Sequence, residues 1–515
     1  MRRSLAVVLS ASLAAGLGLV AASAAPAATT PVSSPAASAA PSPERGTITW
    51  HACDKDLGLK GFECGTLTVP RDWDDLTNPL NASIELAVYR STARNRIGAL
   101  TFNPGGPGVS GLDSALGVRD ELPASVKNRF DFVAWDPRGV GLSEPQLDNC
   151  IAPRAEPYAL PPTGPVDWAR AAQETYDAVA ELNAACLAAN PDVAPYLGTY
   201  YVIRDLEAMR IALGERQWNL WGMSYGSRIG FRYAQEYPTR LRTLVLDGSW
   251  APNLTVRSWM NGETWNYDTG KAVFSSLFGK KMAYRFQKVI DGLDERTITV
   301  EGNELTRWQI LPEIFNNISY QTSFPGILEA ITDLYKVLYQ KDKAAAARLP
   351  RVLKKLSARA VPNPNAGLTI TFVNCRDLTG YPTVDEIARA AYVSSANSTS
   401  YGGAMALAKG TFCAGFPEDF TKGYTPLVNN LTLPTPPVVV NSLGDTRTQY
   451  LFGRTMANFM AGSSLITYNS TQHVSYRGVP STCISNAVTN YFITQRQPGN
   501  LLCPYAPIPP PPPQS

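Results

Sequence analysis

The sequence predicts an α/β protein built on a mostly parallel sheet, with helices on both faces and a helical cap inserted between late strands. Two observations carry this expectation. First, apolar runs ending in turn residues recur at "GALTFNP" (98–104), "FDFVAWDP" (130–137), "QWNLWGMS" (217–224) and "RTLVLDG" (242–248), with helical stretches such as "YYVIRDLEAMRIALG" between them. Short buried strands interleaved with helices indicate a parallel sheet covered on both sides. Second, the rhythm breaks: residues 251–433 are helix-rich and irregular, and the strand signal returns at "TPPVVVNSLGD" (435–445). An insertion there would lie over the carboxyl ends of the strands, where such sheets place their sites.

The elements follow in order. Residues 1–25 read as a signal peptide, with a positive start, an Ala/Leu/Val/Gly apolar run and an A-x-A site at Ala22–Ala24. Residues 26–46 are rich in Pro, Ala, Ser and Thr, have no apolar periodicity, and read as a disordered linker or pro-segment. From about residue 48 strands are expected to alternate with helices; residues 47–250 make the first part of the core and 251–433 the cap. Residues 434–503 complete the core with the strand "SSLITYN" and the helices "TQYLFGRTMANFMAG" and "CISNAVTNYFITQ". The stretch 504–515 is a proline-rich tail, expected to be solvated. No second stretch is long and apolar enough to span a bilayer.

Composition narrows the function. The chain is 44% hydrophobic and 17% charged, with a formal net charge of +3 and no basic block. That argues against nucleic acid or an anionic membrane as the main partner. Eight cysteines fit an exported protein. Nearest-neighbour pairing would join Cys53 to Cys64, Cys150 to Cys186, Cys375 to Cys413 and Cys483 to Cys503, although sequence alone does not fix connectivity. With two histidines and no C-x-x-C, no metal and no cofactor are expected.

The strongest local signal is Gly222-Met223-Ser224-Tyr225-Gly226, a G-x-S-x-G between a strand and a helix. That context lifts a serine nucleophile above the sheet on a turn too tight for side chains at 222 and 226. A serine hydroxyl needs a base. With this turn the partners follow in the order Ser, acid, His. After Ser224 the chain holds one histidine, His473, after the strand "SSLITYN"; His51 reads as structural. The acid is expected at Asp445, ending "PPVVVNSLGD", with Asp247 of "LVLDGS" as the competitor or as a turn acid bonded to backbone. Oxyanion donors are expected from the backbone of Tyr225 and of Gly106, in the glycine-rich loop "TFNPGGPGVSG".

The motifs "NPGGPGVSG", "FDFVAWDPRGVGLSEP", "WGMSYGS" and "LVLDG" resemble those of the secreted bacterial tripeptidyl aminopeptidases, relatives of the proline iminopeptidases. "VNCRD" with "TFCAGFP", and the final "TCISNAVTNYFITQRQPGNLLC", extend the resemblance over most of the mature chain. The resemblance implies an α/β-hydrolase fold and a secreted, monomeric serine exopeptidase acting on free N-termini. In that family the glycine-rich loop and elbow supply the site, which here means Gly106, Tyr225, Ser224, Asp445 and His473. An aminopeptidase must hold a free α-ammonium, and Asp377 and Glu263 are the candidate carboxylates. Trp259, Trp265 and Tyr267 could line an apolar pocket or simply pack. A carboxylesterase with the same three residues, and a non-catalytic hydrolase-like binding protein, are the alternatives.

Overall fold

The computed structural model describes residues 46–148, 156–357, 366–397, 399–421 and 426–509. The expected signal peptide, nearly all of the linker, Cys150 and the end of the proline-rich tail lie outside these residues. The strands are β1 Ile48–His51, β2 Glu63–Pro70, β3 Asn81–Tyr89, β4 Gly98–Asn103, β5 Phe130–Trp135, β6 Trp218–Met223, β7 Leu241–Asp247, β8 Ile298–Val300, β9 Asn303–Leu305, β10 Val438–Ser442, β11 Ser464–Tyr468 and β12 Leu501–Cys503. Ten form one sheet, in the order β1-β2-β3-β5-β4-β6-β7-β10-β11-β12, while β8 and β9 pair separately. From β5 to β12 neighbouring strands are parallel.

The start of the sheet differs from expectation. Residues 48–89 do not alternate strand with helix. Strands β1, β2 and β3 follow one another with only a one-turn helix, Lys55–Leu57, between the first two. They pair antiparallel with one another, and β3 pairs antiparallel with β5. In β2, Leu67 and Val69 are buried and Thr68 between them is exposed. This is the period-two pattern of an antiparallel strand with one wet face.

The parallel strands β4, β5, β6 and β10 are buried at every position. Their side chains alternate between two apolar layers, as the strand geometry dictates. Leu220 of β6, Leu246 of β7 and Val439 of β10 enter one layer. There they join Ile203 and Leu206 of the helix Thr199–Ala212 and Phe231 of the helix Gly226–Glu236. Trp221, Val245 and Val440 enter the other, with Val118 of the helix Gly111–Glu121 and Phe492 of the helix Thr482–Thr494. A one-residue register slip would exchange the layers for a whole strand, so the register is firmly specified.

Between β7 and β10 the chain is mainly helical, from Val256–Phe278 to Ser400–Thr411. Phe274, Phe286, Phe315 and Leu334 give these helices a core of their own. The disulfide Cys375–Cys413 ties the helix Ala366–Asp377 to the turn after Ser400–Thr411. Cys53–Cys64 links the β1–β2 connection to β2, and Cys483–Cys503 links the last helix to β12. Among the described residues no helix is long and apolar enough to cross a membrane.

Peptide mapping without reduction should recover these three pairs. Their Cα separations of 5.0, 5.5 and 5.7 Å lie within the normal range for a disulfide. Any of these six cysteines found joined to another partner would contradict the strand and helix arrangement around it.

Candidate active site

Five loops meet at the carboxyl edge of the parallel strands. The turn after β6 carries Ser224, whose φ of +53° is left-handed. A non-glycine residue adopts this only when its surroundings impose it. Here the Ser224 N–H donates to Asp247 O at 2.8 Å, and the Ser227 hydroxyl donates to Ser224 O at 2.6 Å. A Cβ at Gly222 would lie 2.3 Å from Gly226 O, and one at Gly226 would lie 2.5 Å from Asn103 O. The expected glycine requirement is therefore real, although each glycine is crowded by backbone and not by the other's side chain. Ser224 is half-buried, at the N-terminus of the helix Gly226–Glu236, whose dipole favours negative charge.

The loop after β4 lies against this turn. A Cβ at Gly105 would stand 2.7 Å from Ser224 Cβ and 3.1 Å from Tyr225 N, so only glycine permits the approach. The Gly105 N–H donates to Asn103 Oδ1 at 3.0 Å. That bond commits the Gly105 N–H within its own loop.

His473 and Asp445 come together across 28 residues. The His473 Nδ1–H donates to Asp445 Oδ2 at 2.8 Å. The carboxylate also accepts from the backbone N–H of Arg447 (2.8 Å) and Thr448 (3.0 Å) and from the Thr448 hydroxyl (2.8 Å). Four donors fix the Asp445 carboxylate in place. The His473 backbone N–H donates to Ser319 O at 2.7 Å, so the inserted region helps hold the histidine. Its ring also stands about 3 Å from where a Cβ on Gly248 would lie, one residue past the carbonyl that holds Ser224. The imidazole is 9% exposed, and its Nε2 makes no hydrogen bond among the described residues. Serine, imidazole and carboxylate thus share one edge of the sheet. An imidazole fixed at Nδ1 by a carboxylate can take a proton at Nε2.

Asp247 is placed differently. Its two oxygens accept from the backbone N–H of Ser475 and Tyr476, both at 2.8 Å. It holds the loop after His473, including Val474, a β-branched residue with φ +58°. Burial pushes its carboxyl up to about 6, opposed first by the two backbone N–H donors.

The expected binding residues separate. Asp377 does not face a ligand space. Its carboxylate accepts from Thr199 N–H (2.9 Å), the Thr199 hydroxyl and the Tyr225 hydroxyl (3.0 Å), and pairs with Arg228 Nε (3.3 Å). With its lone pairs occupied and its side chain buried, it is corrected from an ammonium anchor to an internal brace. Glu263 is 2% exposed and accepts from Asn266 Nδ2 at 3.2 Å through Oε2, while Oε1 carries no hydrogen bond among the described residues. Asn266 also donates to Thr446 O, beside Asp445. Burial raises the Glu263 pKa, opposed first by the Lys409 ammonium. Burial pushes Lys409 down to about 8, opposed by Glu263. The Lys409 ammonium sits 3.7 Å above the ring of Trp259, which is buried beside Trp250. Tyr267 packs on Phe315 and Tyr401, and Trp265 is 54% exposed. His51 lies on β1, with Nε2 3.2 Å from Glu85, away from these loops.

Sequence reasoning missed Ser319, which no motif marks. It also missed Thr448, although an acid followed three residues later by threonine ahead of a helix is a turn signature.

Comparison with known proteins shows the family to which the chain belongs. A family model described as alpha/beta hydrolase fold matches residues 98–284, and one described as TAP-like protein matches residues 399–503. Serine protease Hip1 of Mycobacterium tuberculosis is 31% identical over 465 residues, spanning 84% of this chain and 85% of that protein. Tripeptidyl aminopeptidase of Streptomyces lividans is 37% identical over 220 residues, 41% of this chain and 40% of that one. Carboxylesterase B of Mycobacterium tuberculosis is 28% identical over 218 residues, 39% of this chain and 40% of that one.

The raised Asp247 carboxyl makes stability pH-dependent. Between about pH 4 and pH 6 the native state holds a proton that the unfolded chain has released, so this group's contribution falls as pH rises through that window. Two pKa units correspond to about 3 kcal/mol at most. Asp247→Asn, which does not titrate, should be destabilised relative to the parent, with the gap narrowing from pH 4 to pH 6 in denaturant titrations. A gap that widens over this window would contradict a carboxyl whose pKa is raised by burial.

Proposed function

We propose that this chain, which belongs to the TAP-like family of α/β-hydrolase serine peptidases, is a secreted exopeptidase that removes short peptides, tripeptides among them, from free N-termini. The observation that carries the catalytic reading is the 2.8 Å bond between His473 Nδ1 and Asp445 Oδ2, at the same sheet edge as the strained Ser224. The three disulfides among the described residues support an oxidising destination.

In this reading the Ser224 hydroxyl attacks the scissile carbonyl carbon and passes its proton to His473 Nε2. Asp445 keeps the imidazole in the tautomer with Nδ1–H and stabilises the imidazolium. The carbonyl oxygen becomes an oxyanion that accepts from the backbone N–H groups of Gly106 and Tyr225. As the C–N bond breaks, His473 gives the proton to the leaving amine. Water, deprotonated by His473, then releases the peptide from Ser224.

The free N-terminus is assigned to Glu263. Of the two expected carboxylates it is the one that keeps an oxygen without a hydrogen bond among the described residues, three residues from the Asn266 that touches the Asp445 loop. A substrate ammonium would pair with it, and an acetylated amine would forgo that ion pair and its charge-assisted hydrogen bonds. An esterase reading keeps Ser224, Asp445 and His473 but gives Glu263 no ligand.

Ser224→Ala should lower kcat by roughly four to six orders of magnitude, the scale for loss of a nucleophile, and a phosphonylating reagent should label Ser224. An unblocked tripeptidyl anilide should exceed its N-acetylated form by on the order of a hundredfold in kcat/KM, and Glu263→Gln should shrink that ratio while sparing a small neutral ester. Equal cleavage of blocked and unblocked peptides would remove the aminopeptidase reading, and labelling elsewhere would remove the elbow.

A further inference from the structure

We infer that Asp377, carried by the inserted region, is a positioning residue that holds the oxyanion-binding amide of Tyr225 in place through the Tyr225 side chain. The inference rests on the reading that Ser224 is the nucleophile.

Tyr225 follows Ser224, and its backbone N–H and side chain sit on adjacent atoms whose relative orientation is set by the one torsion φ. The ring is buried edge-on against Trp250, 6.1 Å between centroids. Its hydroxyl lies 2.7 Å from Thr199 Oγ1 and 3.0 Å from Asp377 Oδ2. Asp377 grips the same short helix again through Arg228, whose Nε is 3.3 Å from Oδ2 and whose Nη2 donates to the Asp377 carbonyl. Both ends of the first turn of the elbow helix are therefore tied to one carboxylate.

That carboxylate is itself fixed on three sides. It stands two residues after Cys375, whose disulfide to Cys413 restrains the end of its helix. Its Oδ1 accepts from Thr199 N–H at 2.9 Å and so caps the helix Thr199–Ala212 from 178 residues away. Gly198, at the usual capping position, offers no side chain. A Cβ there would stand 2.8 Å from Asp377 Oδ1, so the missing side chain is what admits the distant carboxylate. Oxyanion donors work by being held where charge develops before it appears. A rigid tether on the residue that supplies one donor meets that need, and the solvent-free setting keeps its hydrogen bonds strong.

Tyr225→Phe removes the tether and leaves the Thr199 cap intact. It should lower kcat about tenfold with KM nearly unchanged, well short of the roughly hundred- to thousandfold lost when an oxyanion donor is removed outright. The rate of phosphonylation at Ser224 should fall by the same factor, because the reagent also develops an oxyanion there. Asp377→Asn should show the same split, and adding it to Tyr225→Phe should cost less than the product of the two losses. An unchanged kcat in Tyr225→Phe, or a loss expressed in KM or only in melting temperature, would overturn the inference. Labelling of Ser224 in the unaltered protein tests the nucleophile independently, so failure of that reading is distinguishable from failure of this one. If Asp377→Asn does not fold, Tyr225→Phe decides alone.

Discussion

The constraint on which the rest depends is the close approach of two turns, one after β4 and one after β6. Gly226 admits the carbonyl of Asn103, and Gly105 admits the side chain of Ser224, each at a distance that a methyl group would occupy. With that approach made, Ser224 is held in a left-handed conformation by Asp247 O and Ser227 Oγ. The Gly105 amide turns to Asn103 Oδ1 and closes its own loop against the elbow. Widening the contact by one side chain would move Ser224 and the glycine-rich loop apart.

Three buried aspartates organise the same edge, and their partners separate their roles. Asp445 accepts from three donors of its own loop and offers its remaining position to an imidazole. Asp247 spends both oxygens on backbone amides beyond His473 and so shapes the loop that carries it. Asp377 braces the elbow helix from outside the sheet. A carboxylate whose donors are all backbone sets a loop; one that holds an imidazole tunes chemistry.

Much of this was legible in the sequence because it is local. The elbow is a five-residue pattern between a strand and a helix, and the scarcity of histidine left His473 as the natural base. The parallel strands announced themselves through uninterrupted apolar runs. Other features depend on residues far apart in the chain. Asp247 and Asp445 both end strands, and only their partners tell them apart. Asp377 looked like a cap carboxylate facing substrate; its contacts with Thr199 and Tyr225 span 178 and 152 residues, beyond any local pattern. Strands β1 to β3 were read as alternating elements because their one-sided apolar pattern is weaker than a fully buried strand.

The central claim is that His473 is oriented by Asp445 through Nδ1. With two histidines in the chain, proton NMR can test it directly. The account predicts a strongly deshielded, exchange-protected imidazole N–H that persists in His51→Gln and vanishes in Asp445→Asn. A resonance lost in His51→Gln, or retained in a folded Asp445→Asn protein, would contradict it.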